Sequence, residues 1–217
     1  MKYQRGLPIT KPKLLVGEGV DEVYFFEALV DFLGIPDIQV EQYGGKSKLR
    51  DGLSGLMKRS GFAAKVASFG ITRDADYPND PAADVMTAAP SAFQSVCSAL
   101  NHLGLPVPTA PGATATGTPN VTVFILPDGT NPGMLEDVCL NSVLADPDFG
   151  CLADFFDCVA KRSGNSPARH MKAKADLHAW LSTRLVPDLR LGEAAQSGYW
   201  DWNQLAFADL IRFVQSL

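Results

Sequence analysis

The chain has 217 residues, 46% hydrophobic and 20% charged, enough for one well-packed domain or for a domain with an extension. Its net charge of −5, from 24 acidic and 19 basic residues, argues against a broad sequence-independent grip on nucleic acid, which needs a basic surface, although an acidic site balanced by metal stays compatible with a nucleic-acid enzyme. No apolar run reaches the roughly 18 residues of a membrane span, and Met1-Lys2-Tyr3-Gln4-Arg5 lacks a signal-peptide core, so a cytoplasmic protein without membrane contact is expected.

In chain order, Lys13-Leu14-Leu15-Val16 reads as a short buried strand that ends at Gly17-Glu18-Gly19. Residues 21–33 carry apolar side chains at helical spacing (Val23, Phe26, Leu29, Val30, Leu33) and stop at Gly34. Residues 38–43 alternate as a strand does, Gly44-Gly45 breaks the pattern, and 46–59 reads as an amphipathic helix. A third strand over 66–72 leads into Asp74 and Asp76, a helix follows over 91–103, and 121–126 is β-branched and aromatic throughout. Alternating strands and helices predict an α/β fold with a doubly wound, mainly parallel, four-stranded Rossmann-like sheet. From Met134 onward only helices are expected, over 134–144, 151–161, 170–184 and 204–217. We therefore divide the chain into an α/β domain over 1–145 and a helical extension over 146–217 packed on the same core. The stretches 79–89 and 109–119 read as flexible connections, and no internal repeat is present.

Four cysteines (Cys97, Cys139, Cys151, Cys158) lack CxxC or Cys/His metal spacing, and buried reduced thiols are expected in their apolar, helical surroundings. His102, His170 and His178 are scattered, with no pair at metal-ligand spacing.

Phe69-Gly70-Ile71-Thr72-Arg73-Asp74-Ala75-Asp76 carries most of the chemistry. Alternation in an extended chain puts Asp74 and Asp76 on one side, at the carboxyl edge of the sheet, where open α/β folds place ligands. Two like charges held so close repel, and a hard cation such as Mg2+ neutralises them through oxygen ligands; an ordinary polar turn is the plain alternative. In flavodoxin-like order the first and third strands are neighbours, which would set Glu18 beside Asp74 and Asp76. Glu136, at a helix start after the fourth strand, is a further candidate, although a carboxylate there also suits the helix dipole. Asp21 and Glu22 share that ambiguity; Asp21 is assigned to the site and Glu22 left open.

Leu14-Leu15-Val16-Gly17-Glu18-Gly19-Val20-Asp21-Glu22, followed by Val23-Tyr24-Phe25-Phe26, resembles the first motif of Toprim domains, in which a strand ends in Glu-Gly and an acid opens the next helix. Asp74-Ala75-Asp76 resembles the second motif of that family, the DxD pair. The run to about Leu144 is similar to small Toprim-like proteins related to the OLD nucleases, with counterparts of 43–49 and of Met134-Leu135-Glu136-Asp137. The resemblance covers about two-thirds of the chain. It implies Mg2+ or Mn2+ held by Glu18, Asp21, Asp74, Asp76 and Glu136, with Glu18 as general acid or base or as metal support, and phosphodiester hydrolysis of DNA or RNA. It also asks for a lysine that stabilises charge on the transferring phosphate, and Lys172 and Lys174 are the candidates. Tyr24, Tyr43 and Tyr199 read as packing residues, so transfer of a strand to tyrosine is set aside in favour of hydrolysis by water.

Gly44-Gly45-Lys46-Ser47 looks like the end of a phosphate-binding loop, but the glycine required five positions before Gly45 is Val40, which excludes a triphosphate site. Lys46 and the backbone amides beside it are assigned to a nucleic-acid phosphate, with a simple chain turn as the alternative. Tyr199, Trp200 and Trp202 either stack on bases or pin the extension to the core; we favour the second. Two other classes stand beside the nuclease: a non-catalytic nucleic-acid-binding or regulatory module working with an ATPase partner, and a receiver-type phosphoryl acceptor. A receiver carries its paired acids after the first strand and a single aspartate after the third, the reverse of the order here, and ranks last.

Overall fold

The computed structural model describes residues 6–80 and 82–217; residues 1–5, which bear the expectation of no signal-peptide core, lie outside them. The first βα unit is β1 (Lys13–Gly17) and α1 (Val20–Leu33). Glu22 Oε2 accepts the Gly19 N–H at 2.8 Å, a reciprocal cap at the helix start, and α1 stops at Gly34, whose φ of 65° is the left-handed conformation that glycine adopts freely. Then come β2 (Ile38–Gln42), a 3-10 turn (Lys46–Lys48), α2 (Leu49–Met57), α3 (Phe62–Lys65), β3 (Ser68–Asp74) and α4 (Ala88–His102). The chain continues through β4 (Thr114–Ala115), β5 (Asn120–Leu126), α5 (Leu135–Ser142), α6 (Phe149–Ser163), α7 (Lys172–Ser182), α8 (Leu191–Gln196) and α9 (Ala208–Gln215).

The sheet order is β2-β1-β3-β5-β4. The first four of these strands run parallel, and β4 lies antiparallel on β5. With helices on both faces this is a Rossmann-like α/β fold. The sheet has five strands rather than the four expected. β4 escaped the pattern because two residues carry no periodicity; their pairing comes from the edge of β5. Gly112 N–H donates to the Val123 carbonyl at 2.8 Å, and the Thr114 and Thr122 hydroxyls meet at 2.9 Å. The stretch 109–119, expected to be mobile, is thereby tied to the sheet.

Alternation along the strands divides the core into two layers. Leu15, Val40 and Phe124 face α1, α5, α7, α8 and α9, whereas Leu14, Val16, Phe69, Ile71 and Val123 face α2, α3 and α4. The helices after residue 146 share the first layer with the sheet. Trp180 stacks on Trp200 at 5.3 Å between centroids, Phe124 on Phe213 at 5.2 Å, and Phe25 meets Trp202 edge-on at 5.1 Å. Burying Phe207 and Phe213 contributes roughly 2–3 kcal/mol each, and the indoles of Trp200 and Trp202 are buried, so these two pin the helices after residue 146 to the core and are closed to bases. Two glycines make the docking close. A Cβ on Gly70 would lie 2.7 Å from Leu217 Cδ1, and one on Gly192 would lie 2.4 Å from the Asp21 carbonyl oxygen. Gly192 belongs to α8, a helix whose six residues are too few for a periodic signal.

All four cysteines are free, but only Cys139 is buried; Cys97 is partly covered, and Cys151 and Cys158 are exposed on α6. The expectation of four buried thiols fails there because α6 contributes only Leu152 to the core. No helix among the described residues is long and apolar enough to cross a membrane.

Candidate functional site

The site forms where β1 and β3 end side by side. Their register pairs Val16 with Ile71, so the two chains leave the sheet together, Glu18 from one and Asp74 from the other. The neighbouring arrangement of first and third strands expected from the sequence is thus present.

Glu18 is held by the loop after β2. Its carbonyl accepts the N–H groups of Gly44 and Gly45 at 3.0 and 2.9 Å, and its Oε1 accepts the Lys46 N–H at 2.9 Å. Gly44 and Gly45 adopt φ of 93° and 112°, values that side-chain-bearing residues rarely adopt. The amides expected to meet a phosphate therefore already serve Glu18, and only the Lys46 ammonium is directed elsewhere, to Asp76 Oδ2 at 2.6 Å.

Asp74 is the last residue of β3 and is buried. Its Oδ1 accepts the Leu135 N–H, the first of α5, at 3.1 Å, a favourable place for negative charge. Burial, then the charges of Glu22, Glu136, Glu18 and Asp76, pushes its carboxyl well above the usual aspartate range. Asp76 reaches the site by a different route from simple strand alternation. Its φ is 61°, a left-handed conformation that aspartate tolerates better than most residues. The bend is held by an antiparallel bridge to Gly133, with N–H···O distances of 2.7 and 3.2 Å.

Glu22, left open by the sequence, is brought in. Burial and the charges of Glu18 and Glu136 raise its carboxyl to about 7, against the pull of the Gly19 N–H. Space for it exists because residue 17 is glycine: a Cβ there would lie 2.5 Å from Glu22 Cβ. A signal was available, since Glu22 falls in line with Phe26, Leu29 and Leu33 on the apolar stripe of α1, an unusual place for a carboxylate. Asp21 turns instead toward α8, where burial raises its pKa and the Arg190 charge and Gly192 N–H oppose that rise.

Glu136, in the first turn of α5, has its pKa raised by burial, with Lys174 acting in the opposite sense; Lys174 Nζ lies 3.7 Å from its Oε1. Lys174 also feels Asp74, Glu22 and Asp76. Lys172 points away: it pairs with Asp176 and sits 4.8 Å over the Phe156 ring. Of the two candidate lysines, Lys174 is the one brought to the carboxylates.

Glu18, Glu22, Asp74, Asp76 and Glu136 thus crowd together, with Lys46 and Lys174 at the rim. An all-oxygen donor set of this kind suits a hard divalent cation. Among the described residues no three His, Cys, Asp or Glu side chains converge as tightly as a bound ion requires: Asp76 is turned to Lys46 and Asp74 to the Leu135 N–H.

Fold and site define a Rossmann-like α/β protein with a carboxylate-rich centre at the carboxyl edge of its sheet. The chain belongs to the family described as "Protein of unknown function (DUF3226)", which matches residues 12–217. No curated protein and no solved structure matches it.

Proposed function

We propose that the protein is a Toprim-like, Mg2+- or Mn2+-dependent nuclease or a related phosphodiester-processing enzyme, similar to the OLD nucleases. The observation that carries this reading is the adjacency of Glu18 and Asp74 at paired strand ends, with Glu22, Asp76 and Glu136 inside one field of mutual repulsion. Burial first, and the neighbouring negative charges after it, make these carboxyls costly to ionise, a cost that a bound cation would relieve. Glu18, Glu22, Asp74, Asp76 and Glu136 would hold the ions, which supply charge stabilisation and an activated water at a phosphoryl centre. Lys174 and Lys46 meet the negative charge of the phosphate.

A second reading is a non-catalytic nucleic-acid-binding or regulatory module beside an ATPase partner. The net charge of −5 favours it, because weak intrinsic grip calls for a partner that supplies it. The test is calorimetric titration of Mn2+ and Mg2+ into wild type and an Asp74→Asn/Asp76→Asn variant, followed by cleavage assays on single- and double-stranded DNA and RNA. Metal binding and cleavage that both vanish in the variant are expected. Metal binding without cleavage of any substrate, together with co-purification of an ATPase, would move the regulatory module ahead.

A further inference from the structure

Arg73 precedes Asp74 on β3, and alternation sends the two side chains to opposite faces of the sheet. Phe69 and Ile71 share the face of Arg73 and lie in the apolar layer under α4; a guanidinium continues that row. The residue is only 7% exposed. Its Nη1 donates to Ser95 Oγ on α4 at 2.8 Å, and its Nε is buried without a partner. The contrast with Arg59 is direct, since that guanidinium faces the Glu41 carboxylate at 2.8 Å. Among the described residues Arg73 has no carboxylate partner. A buried charge is costly without an opposite charge or full hydrogen bonding, so a guanidinium kept here with free donors is suited to an anion from outside.

The side chain lines a cleft of about 400 Å³, a size in the range of small-ligand sites. Lys46, Arg73 and Lys174 line it against one acid, Asp76, which already pairs with Lys46. In a chain with net charge −5 this is a locally cationic pocket, opening beside the carboxylates. Ser91 on α4 and His170 complete its polar wall. A planar fork of N–H donors fits the oxygens of a phosphate better than a point charge does.

We infer that Arg73, held by Ser95, forms with Lys46 and Ser91 of the cleft wall a phosphate-binding subsite for the group next along the strand from the phosphate at the carboxylates. This rests on the nuclease reading for its place in a substrate; the phosphate chemistry itself does not.

The experiment is thermal unfolding of the full chain in EDTA, at constant ionic strength, with inorganic phosphate in one arm and a short single-stranded oligonucleotide in the other. Because stabilisation by a ligand grows with the logarithm of its concentration above Kd, wild type should gain about 3 °C at tenfold Kd. Arg73→Met should start at the wild-type melting temperature or above, since an unpaired buried charge is removed, and should gain nothing. Should that variant fail to fold, Arg73→Lys keeps the charge without the fork and is expected to lose half the gain or more. Shifts with both ligands that depend on Arg73 support a nucleic-acid phosphate; a shift with inorganic phosphate alone supports the subsite and assigns it to a small phosphate ester. No shift in wild type, or an equal shift in the variants, overturns the inference. Neither arm needs metal or turnover, so failure here leaves the metal titration standing, and failure there leaves this one standing.

Discussion

The Lys46 ammonium lies 2.6 Å from Asp76 Oδ2, joining the loop after β2 to the bend after β3 across the mouth of the site. The pair withholds Asp76 from any cation and adds a positive charge beside it. Lys46→Met should therefore bind Mn2+ more tightly, by about fivefold, near the upper end of the ~1 kcal/mol that a solvent-exposed pair can be worth. Global stability should change by less than about 1 kcal/mol, because both partners are partly in water. Calorimetry reads the affinity, and a weaker Mn2+ isotherm in the variant would contradict the latch.

Stability should fall as pH rises. Glu22 and Asp74 have pKa values raised in the folded chain, so between the ordinary carboxyl range and about pH 7 the native state binds more protons than the unfolded one. The slope of unfolding free energy with pH is then negative. Glu22 alone, moved from 4.5 to about 7, accounts for about 3 kcal/mol lost across that window. Glu22→Gln should be more stable than wild type at pH 8 and nearly equal to it at pH 4, measured by urea unfolding. A flat pH profile in metal-free wild type would refute the raised carboxyls.

Asp74→Asn should keep the fold and raise the melting temperature. The amide oxygen can still accept the Leu135 N–H seen at 3.1 Å, while a carboxyl that burial and its neighbours make costly to ionise is removed. Divalent-cation binding should fall at least tenfold. A variant that unfolds would show that Asp74 is structural first.

Gly17→Ala should cost about 2 kcal/mol, since its Cβ would lie 2.5 Å from Glu22 Cβ and core overpacking carries penalties of that size. Only removal of the opposing Cβ restores room, so Gly17→Ala/Glu22→Gly should lose less than the sum of the two single variants, whereas Gly17→Ala/Glu22→Ala should stay destabilised. Chemical denaturation of the single and double variants decides it through their coupling.

Gly192→Ala should loosen the C-terminal helices, because α8 approaches α1 with a would-be Cβ 2.4 Å from the Asp21 carbonyl. Faster amide exchange over α7, α8 and α9, with β1 and β3 still protected, is the expected pattern. Uniform loss of protection would mean that the extension and the sheet open as one unit.

Much of this architecture is legible in the residues themselves. Apolar runs at strand length, helical spacing between them, and Glu18 and Asp74 at the ends of two such runs specify the α/β alternation and place both acids at one edge. β4 and α8 are not legible, because two and six residues carry too little periodicity and owe their form to the β5 edge and to the close approach at Gly192. The aromatic cluster around Trp200 is visible as composition, yet only its burial against Trp180 excludes base stacking.

The elements and the supply of carboxylates follow from the order of residues alone, because periodicity and local charge are properties of the chain. Tertiary structure decided which charges meet. It turned Asp21 toward Arg190 and brought Glu22 beside Glu18, pointed Lys174 inward and Lys172 outward, and left Arg73 buried opposite a serine. Those outcomes depend on helix rotation and on approach distances set by glycines far apart in the chain, and such distances have no local signature.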